Sequence, residues 1–318
     1  MVDYYERLSL AIDYIERNLR APIQVADVRA AAFGSQWHFQ RVFRFITGHS
    51  VAGYLRGRRL AEAGHRLLDP GARVTDVALD FGYESPEAFS RAFRRAFGLS
   101  PAHWREGART SSAPGNPTGQ LEFLERIDID DGSYRDVYPD VSVSERVVIR
   151  QATRVAGLRR RTSMRDSQQF RDIPALWGTY FAGNTTQRLA DQGAKLSAPA
   201  TTIGVYSNWD FAENFDLTIG TPIDPASAQG LANEGSTASE VHEDPAALRH
   251  IELPAGKYVV FTIQGYRPEE LVAGWKYIYG TWMPNTRSQR AWGVDFDLFD
   301  ERFTQDESAL SEIYIPIV

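Results

Sequence analysis

The stretch that decides the first half of the fold is residues 77–100, which read VALDFGYESPEAFSRAFRRAFGLS. Apolar side chains recur in it every three or four positions, as on the buried face of an amphipathic helix. These side chains are Phe89, Ala92, Phe93 and Phe97. Ser85 and Pro86 favour a helix start, and Gly98 is a typical helix stop. The stretch therefore predicts a short helix, a tight turn and a second helix between Ser85 and Gly98.

The same pattern occurs a second time, 50 residues earlier. Shifting residues 1–109 against themselves gives seven identities in 16 columns, among them Phe39 with Phe89 and Gly48 with Gly98. Helix, short turn, helix is the helix-turn-helix plan, in which the second helix enters the major groove of DNA. Two copies predict an all-α domain whose second helices read successive grooves, ~34 Å apart.

A single helix over residues 51–68 is predicted between the copies.

The face of each second helix opposite its apolar stripe carries side chains suited to DNA. In the first copy these are Ser35, Gln36, Trp37, Gln40, Arg41 and Arg44, and in the second they are Ser85, Glu87, Ser90, Arg91 and Arg94. Arg pairs with guanine and Gln with adenine through two parallel hydrogen bonds, and first-turn amides hold a phosphate.

For two of these residues, a structural role is the alternative to DNA binding. Trp37 either contacts a base or covers the junction with the preceding helix. Glu87 either accepts a hydrogen bond from a cytosine amine or is a surface acid at the helix N-terminus.

Charge divides the chain near residue 109. Residues 1–109 hold 16 arginines, no lysine and 12 acids, a balance of +4, whereas the other 209 residues carry 19 bases and 29 acids, a balance of −10. A basic half is typical of a polyanion-binding domain. The chain has no cysteine, which excludes disulfides and thiolate metal sites, and no apolar run long enough to cross a bilayer. We expect a cytoplasmic protein.

A linker separates the two halves. Residues 107–119, GARTSSAPGNPTG, have the composition of a loop without apolar periodicity. The expected domains are a helical DNA-binding domain over residues 1–109, a linker and lead-in segment over 110–145, and an α+β domain over 146–318.

The last domain is predicted to contain a duplicated strand-helix-strand-strand unit. The first unit takes residues 155–160, 170–181, 202–207 and 215–220. The second takes residues 258–264, 268–282, 293–299 and 313–317. Two such units side by side would create a cleft at their shared axis. Five of the seven tryptophans lie beyond the linker, which favours an aromatic pocket for a cation, although core packing is the alternative for each ring.

The helical half resembles the DNA-binding domain of AraC-type transcription regulators. The resemblance rests on residues 35–44 (SQWHFQRVFR), 58–63 (RRLAEA) and 77–105, and it extends over about residues 5–106. It implies that certain residues face DNA: Trp37, Gln40 and Arg41 in the first motif, and Ser90, Arg91 and Arg94 in the second. It also implies double-stranded DNA and RNA polymerase as partners.

The second half resembles the gyrase-inhibitor-like (GyrI-like) effector-binding domain. The resemblance rests on strand order, on residues 253–262 (LPAGKYVVFT) and on residues 312–317 (EIYIPI). It implies an aromatic pocket with an acid at its floor that binds bulky apolar cations, and Asp297-Leu298-Phe299 stands at the family's Glu-Arg-Tyr site. The expected ligand-binding residues are Trp177, Tyr206, Trp275, Tyr279, Trp292, Asp297 and Glu312.

Three functions fit these features. The first is a transcription regulator, not an enzyme, that responds to a lipophilic or aromatic cation and needs no cofactor. The second is a small-molecule hydrolase in which Asp297 or Glu312 is the general base. The third is a protein-binding module. We expect no metal site, because His242 and His250 lack a metal-ligand spacing. The DNA-binding half favours the first function.

Overall fold

The computed structural model describes residues 4–32, 39–110, 123–129, 143–165, 168–210, 213–227, 232–233 and 247–318. The chain divides into two compact units, Met1–Arg135 and Asp136–Val318. The expected architecture, a helical unit followed by an α+β unit, is confirmed.

The described part of the first unit is helical. Its helices are α1 (Tyr4–Arg17), α2 (Val25–Ala32), α3 (Phe39–Thr47), α4 (Val51–Arg66), α5 (Val74–Asp80), α6 (Pro86–Phe97) and α7 (Pro101–Thr110). The second motif has the predicted ends: the Ser85 hydroxyl accepts a hydrogen bond from the Ala88 N–H at 3.1 Å, and Gly98 stops α6 at φ 76°. In the first motif, the predicted turn and cap at residues 33–35 lie outside the described residues.

The first motif buries the predicted apolar stripe, and the second buries it in part, since Ala92 and Phe97 are half-buried. In α3 the buried residues include Phe39, Val42, Phe43 and Ile46, and in α6 they are Phe89 and Phe93. The second motif packs against α4 and α7, where Trp104 is fully buried and donates from Nε1 to the Gly64 carbonyl at 2.9 Å. The helix predicted over residues 51–68 is α4, which therefore lies between the two motifs.

Residues 123–129, which we name the strap, also pack on the first unit. The sequence analysis assigned these residues to the linker and lead-in segment and predicted no packing for them. The Phe123 ring lies 5.2 Å from the Trp104 ring, and Ile127 and Ile129 are buried.

The second unit is built on one nine-stranded sheet, β1-β7-β9-β8-β3-β4-β2-β6-β5. Its strands are β1 (Val143–Arg150), β2 (Thr153–Ser163), β3 (Thr202–Ser207), β4 (Asn214–Ile223), β5 (Ala232–Asn233), β6 (Leu248–Leu253), β7 (Gly256–Gln264), β8 (Asp295–Phe299) and β9 (Leu310–Ile317). Its helices are α8 (Gln169–Ala182), α9 (Thr185–Asp191), α10 (Pro268–Tyr277) and α11 (Met283–Asn285). A π-helical turn, Ile278–Trp282, continues α10.

The predicted duplication is visible in the strand order. One half contributes β2, α8, β3 and β4, and the other contributes β7, α10, β8 and β9. The halves meet where β3 pairs antiparallel with β8, with Gly204 opposite Asp297 and Tyr206 opposite Asp295. Strand β6 and helix α9 were not predicted.

Both long helices cover one face of this sheet, which we name the helix face. Helix α8 contacts β2 and β4, and α10 contacts β7 and β9. Since alternate residues of a strand point to opposite faces, Gly204, Asp297 and Ile313, which are paired in register, share the helix face. The groove between α8 and α10 therefore lies over β3 and β8.

Gly157 of β2 provides a test of the sheet geometry. A Cβ atom on Gly157 would lie 1.9 Å from the Ile219 carbonyl oxygen, which is fixed backbone. We expect Gly157→Ala to lower the free energy of unfolding by about 2–3 kcal/mol. Urea denaturation measures this change.

Gly178 in α8 is the matched control, because a Cβ atom there meets nothing within 4 Å. Gly178→Ala should leave stability unchanged or raise it by up to ~1 kcal/mol, since alanine favours a helix. Equal losses in the two variants would contradict the close approach of β2 and β4.

Candidate functional site

The helical unit presents two candidate DNA-binding faces, one on each second helix. On α3, Gln40, Arg41 and Arg44 are half-buried and lie opposite the buried stripe. Ser35, Gln36 and Trp37 lie outside the described residues, so their DNA-binding role stays a prediction.

All predicted residues of the face on α6 lie within the described part of the chain. Glu87, Arg91 and Arg94 are exposed, and Ser90 is half-buried beside them. The pKa of Glu87 lies below its ordinary value because its own backbone N–H and the Ser85 hydroxyl donate to its carboxylate. Such local bonds fit the interpretation of Glu87 as a surface acid at the helix N-terminus. The two arginines leave a positive surface along the rest of the helix.

The candidate ligand site is a groove between α8 and α10 on the helix face. It contains a cavity of about 340 Å³. Several aromatic rings line this cavity: Trp177, Phe181, Tyr266, Phe299 and Phe303. Trp177 meets Phe299 edge to face at 5.1 Å and stacks on Phe181 at 5.8 Å. These rings form an apolar chamber, as small-molecule sites commonly require.

Asp297 lies on β8, the strand that contributes Phe299 to the cavity, although Asp297 itself does not line it. It is two residues from Phe299, or ~7 Å along the strand, and its side chain is completely buried. The Tyr206 hydroxyl donates to Asp297 Oδ2 at 2.8 Å, whereas Oδ1 has no hydrogen-bond partner. No cation pairs with Asp297 within the parts of the chain that the structure covers. Burial therefore raises the pKa of the Asp297 carboxyl to about 7, and the Tyr206 hydrogen bond, together with the nearby backbone N–H groups of Gly204 and Asp297, offsets this only in part.

Gly204 makes room for that carboxyl. A Cβ atom at Gly204 would lie 2.2 Å from Asp297 Oδ1. Any larger side chain at this position would push the Asp297 carboxyl out of its place.

Three of the predicted aromatic residues form a wall beside Asp297. Trp275 meets Tyr206 edge to face at 5.1 Å and stacks on Tyr279 at 6.1 Å. The Tyr279 hydroxyl donates to Asp295, and Asp295 also forms a salt bridge with Arg290. These bonds hold the Tyr279 ring in place. The indole Nε1 of Trp275 is buried without a hydrogen-bond partner. The structure thus brings together Tyr206, Trp275, Tyr279 and Asp297, whereas Trp177 lines the cavity, which the other four do not.

Two predicted ligand residues lie elsewhere. Ile313 on β9 is paired with Asp297 and shares its face of the sheet. Glu312 is the residue just before Ile313 and therefore points to the opposite face. There it is held by Arg146 at 2.7 Å, Arg302 at 2.8 Å and the Tyr314 hydroxyl at 2.6 Å. Trp292 is 81% exposed in the segment before β8 and does not line the cavity.

Sequence reasoning also missed several residues of the site, namely Phe181, Gly204, Tyr266, Phe299 as a lining residue, and Phe303. The signal for Gly204 was available, because a glycine inside a strand marks a close approach. The other rings lie on loops or at the end of a helix or strand, where no periodic pattern indicates which side they face.

None of the described helices is long and apolar enough to cross a membrane. Within the described ranges, no group of three His, Cys, Asp or Glu side chains is placed to hold a metal ion. His250 is buried on β6, and His242 lies outside those ranges.

The two units match two family models. Residues 146–318 match the model described as a GyrI-like small molecule binding domain. This match covers more than half of the chain, and the chain therefore belongs to the GyrI-like family. Residues 29–107 match a helix-turn-helix domain model of the AraC type.

Individual relatives are similar to part of the chain. The transcriptional regulator Rob of Salmonella typhimurium is 34% identical over 99 residues, which are 31% of this chain and 34% of Rob. The HTH-type transcriptional regulator YbfP of Bacillus subtilis is 39% identical over 103 residues, which are 32% of this chain and 35% of YbfP. The chain thus matches only about a third of the length of these relatives.

Solved structures include one of a protein bound to tetraphenylphosphonium. It is 16% identical, has a TM-score of 0.42, and covers 55% of this chain and 94% of its own.

The pH dependence of stability tests the state of Asp297. Its pKa of about 7 exceeds the value of 3.8 that an exposed aspartate has. Between these two values the folded protein holds a proton that the unfolded chain has lost. We expect the free energy of unfolding to fall by up to ~4 kcal/mol as the pH rises through this window. Urea denaturation at several pH values should show this fall in the wild type and not in Asp297→Asn.

Asp300→Asn is the control for this experiment. Arg302 donates to the Asp300 carboxylate and lowers its pKa, so its contribution is lost only as the pH falls below about 4. The Asp300→Asn variant should keep the wild-type slope at higher pH. A wild-type slope in Asp297→Asn would contradict the burial of a titrating carboxyl.

Proposed function

We propose that this chain is a DNA-binding transcription regulator whose second unit senses a lipophilic, aromatic cation. One observation carries the proposal: a double helix-turn-helix unit and a GyrI-like domain with a buried, unpaired carboxyl occur in the same chain. In the proposal the protein acts in the cytoplasm, and RNA polymerase is its partner at the promoter. Ligand binding in the groove changes the affinity for DNA.

The DNA-binding part of the proposal assigns different roles to the two helices. Arg41 on α3 reads a guanine, because arginine pairs with guanine O6 and N7 through two parallel bonds. Arg94 on α6 contacts a phosphate, because its exposed side chain extends the positive surface of that helix. Ser35, Gln36 and Trp37 belong to the same proposed face.

Substitution of the two arginines separates these roles. Arg41→Ala should cost ~1–3 kcal/mol on the preferred site and relax the preference at one base pair. Arg94→Ala should weaken all sequences alike and lower the slope of log Kd against log salt by about one. Selection from random duplex DNA, followed by titrations at several salt concentrations, measures both effects.

Arg17→Ala is the control, since Arg17 on α1 is exposed and pairs with Asp13. It should keep the affinity, the selected motif and the salt slope of the wild type. If Arg41→Ala selects the wild-type motif, Arg41 does not read a base.

The ligand-binding part of the proposal rests on the chemistry around Asp297. A buried carboxyl without a cationic partner, as at Asp297, takes up a proton, and a bound cation relieves the cost of ionising it. The aromatic rings beside it supply faces for a delocalised positive charge, each worth up to ~2 kcal/mol when desolvated. The cavity of about 340 Å³ would take the apolar body of the ligand.

Calorimetric titration with tetraphenylphosphonium and with neutral triphenylphosphine oxide tests this part. Since the cation displaces the proton of Asp297, its affinity should rise with pH up to about 7 and then level off. The affinity for the neutral compound should not depend on pH. Asp297→Asn should weaken the cation by about tenfold or more above pH 7 and leave the neutral compound unchanged.

Glu312→Gln serves as the matched acid variant, because Glu312 points to the other face of the sheet. It should retain the preference for the cation. Equal losses of both compounds in Asp297→Asn would remove the carboxyl from ligand recognition.

A hydrolase is the second candidate function, favoured by the pKa of about 7 at Asp297, which suits a general base. The two functions differ in the fate of the ligand. A sensor returns the ligand intact after prolonged incubation, whereas a hydrolase converts it to product, which mass spectrometry detects.

A further inference from the structure

The strap, residues 123–129, fits a groove that glycines create on α4. A Cβ atom on Gly64 would lie 2.8 Å from the ring of Phe123, and one on Gly57 would lie 2.7 Å from Leu124 Cδ2. These glycines are seven residues apart, or about two helical turns, and so share one face of α4. Glycine inside a helix is less stable than alanine because it loses more backbone entropy on folding. The close contacts give these two positions a reason to be glycine.

Hydrogen bonds fix the strap to α1 and α4. Arg58, whose side chain is only 6% exposed, donates to the Leu124 carbonyl at 2.7 Å and to Glu16 at 2.9 Å. The Ile127 N–H donates to the Tyr54 hydroxyl at 3.2 Å. The strap therefore completes the bonding of a buried arginine.

The strap also links the second helices of both motifs. The Phe123 ring lies 4.8 Å from the ring of Phe97, the last residue of α6. Tyr54, which accepts from the strap, meets Phe43 of α3 edge to face at 5.9 Å. One short segment thus connects to α3 through Tyr54 and to α6 directly.

We propose that the strap is a positioning element for DNA binding, which holds α3 and α6 in the relative orientation that two successive grooves require. This inference rests on the proposed DNA binding. Two linked binding modules gain affinity only when both engage at once. Release of the strap lowers the affinity for DNA while each motif stays folded, because the second motif no longer meets its groove.

An introduced disulfide, compared in its oxidised and reduced forms, tests the role of the strap. The Cβ position of Gly57 lies 3.6 Å from the Leu124 Cβ, within the range of a disulfide. In the full chain carrying Gly57→Cys, Phe123→Ala and Leu124→Cys, the reduced form lacks the apolar contacts of Phe123 and Leu124 with α4. Its oxidised form holds the strap by a covalent bond. The wild type has no cysteine, so reductant leaves it unchanged and it serves as the control.

The probe is a duplex of about three helical turns, selected by the wild type from random DNA. We expect the oxidised variant to match the wild type in affinity, salt slope and footprint. The reduced variant should bind at least about tenfold more weakly, with a smaller salt slope and a footprint shortened to one motif. A merely structural role would not shorten the footprint of a folded protein.

Equal binding by the two redox forms, whether strong or weak, overturns the positioning role of the strap. If the wild type itself selects no duplex, the proposed DNA binding fails instead, so the two failures are distinguishable. If circular dichroism shows that the reduced variant has lost its helices, the variant with Gly57→Cys and Leu124→Cys alone, which keeps Phe123, is compared in the same two states. The same readings then support or overturn the proposal.

Discussion

The contact between Asp297 and Gly204 is the constraint on which the second unit depends. It lies where β3 pairs with β8, at the seam between the two strand-helix-strand-strand units. The carboxyl fits there because Gly204 has no side chain, and no cation among the described residues neutralises it. The raised pKa of Asp297 and its hydrogen bond to Tyr206 of the aromatic wall follow from this placement.

Much of the fold could be predicted because its signals are local. The repeat at 50 residues located both motifs, and β3 was predicted with its observed ends. Strand β6 and helix α9 were missed for a physical reason. Strand β6 is an outer strand whose pairing with β2 is long-range, and α9 is a helix of only seven residues, too short for a clear period.

The site was predicted less completely, because it depends on register. Asp297 and Glu312 both looked suitable as pocket acids, but only the pairing of Asp297 with Ile313 shows that Glu312 faces the other way. Trp292 is as aromatic as Trp275, yet one is exposed and the other packs on Tyr206. Composition shows that rings are abundant. It does not show which of them share a surface, and the strap left no periodic signal at all.

The order of the outer strands has a consequence for how the protein folds during synthesis. Strand β1 precedes β2 in the chain but pairs with β7, and β6 precedes β7 but pairs with β2. Each half therefore supplies an outer strand that pairs with the other half. After Arg150 leaves the ribosome, roughly a hundred more residues must follow before Gly256 begins the partner of β1. During that time β1, with Val147 and Ile149 as apolar side chains, is an open strand edge, and such edges favour pairing with other chains. A nascent first half thus has a period of exposure to misassembly that closes only when the second half has been made.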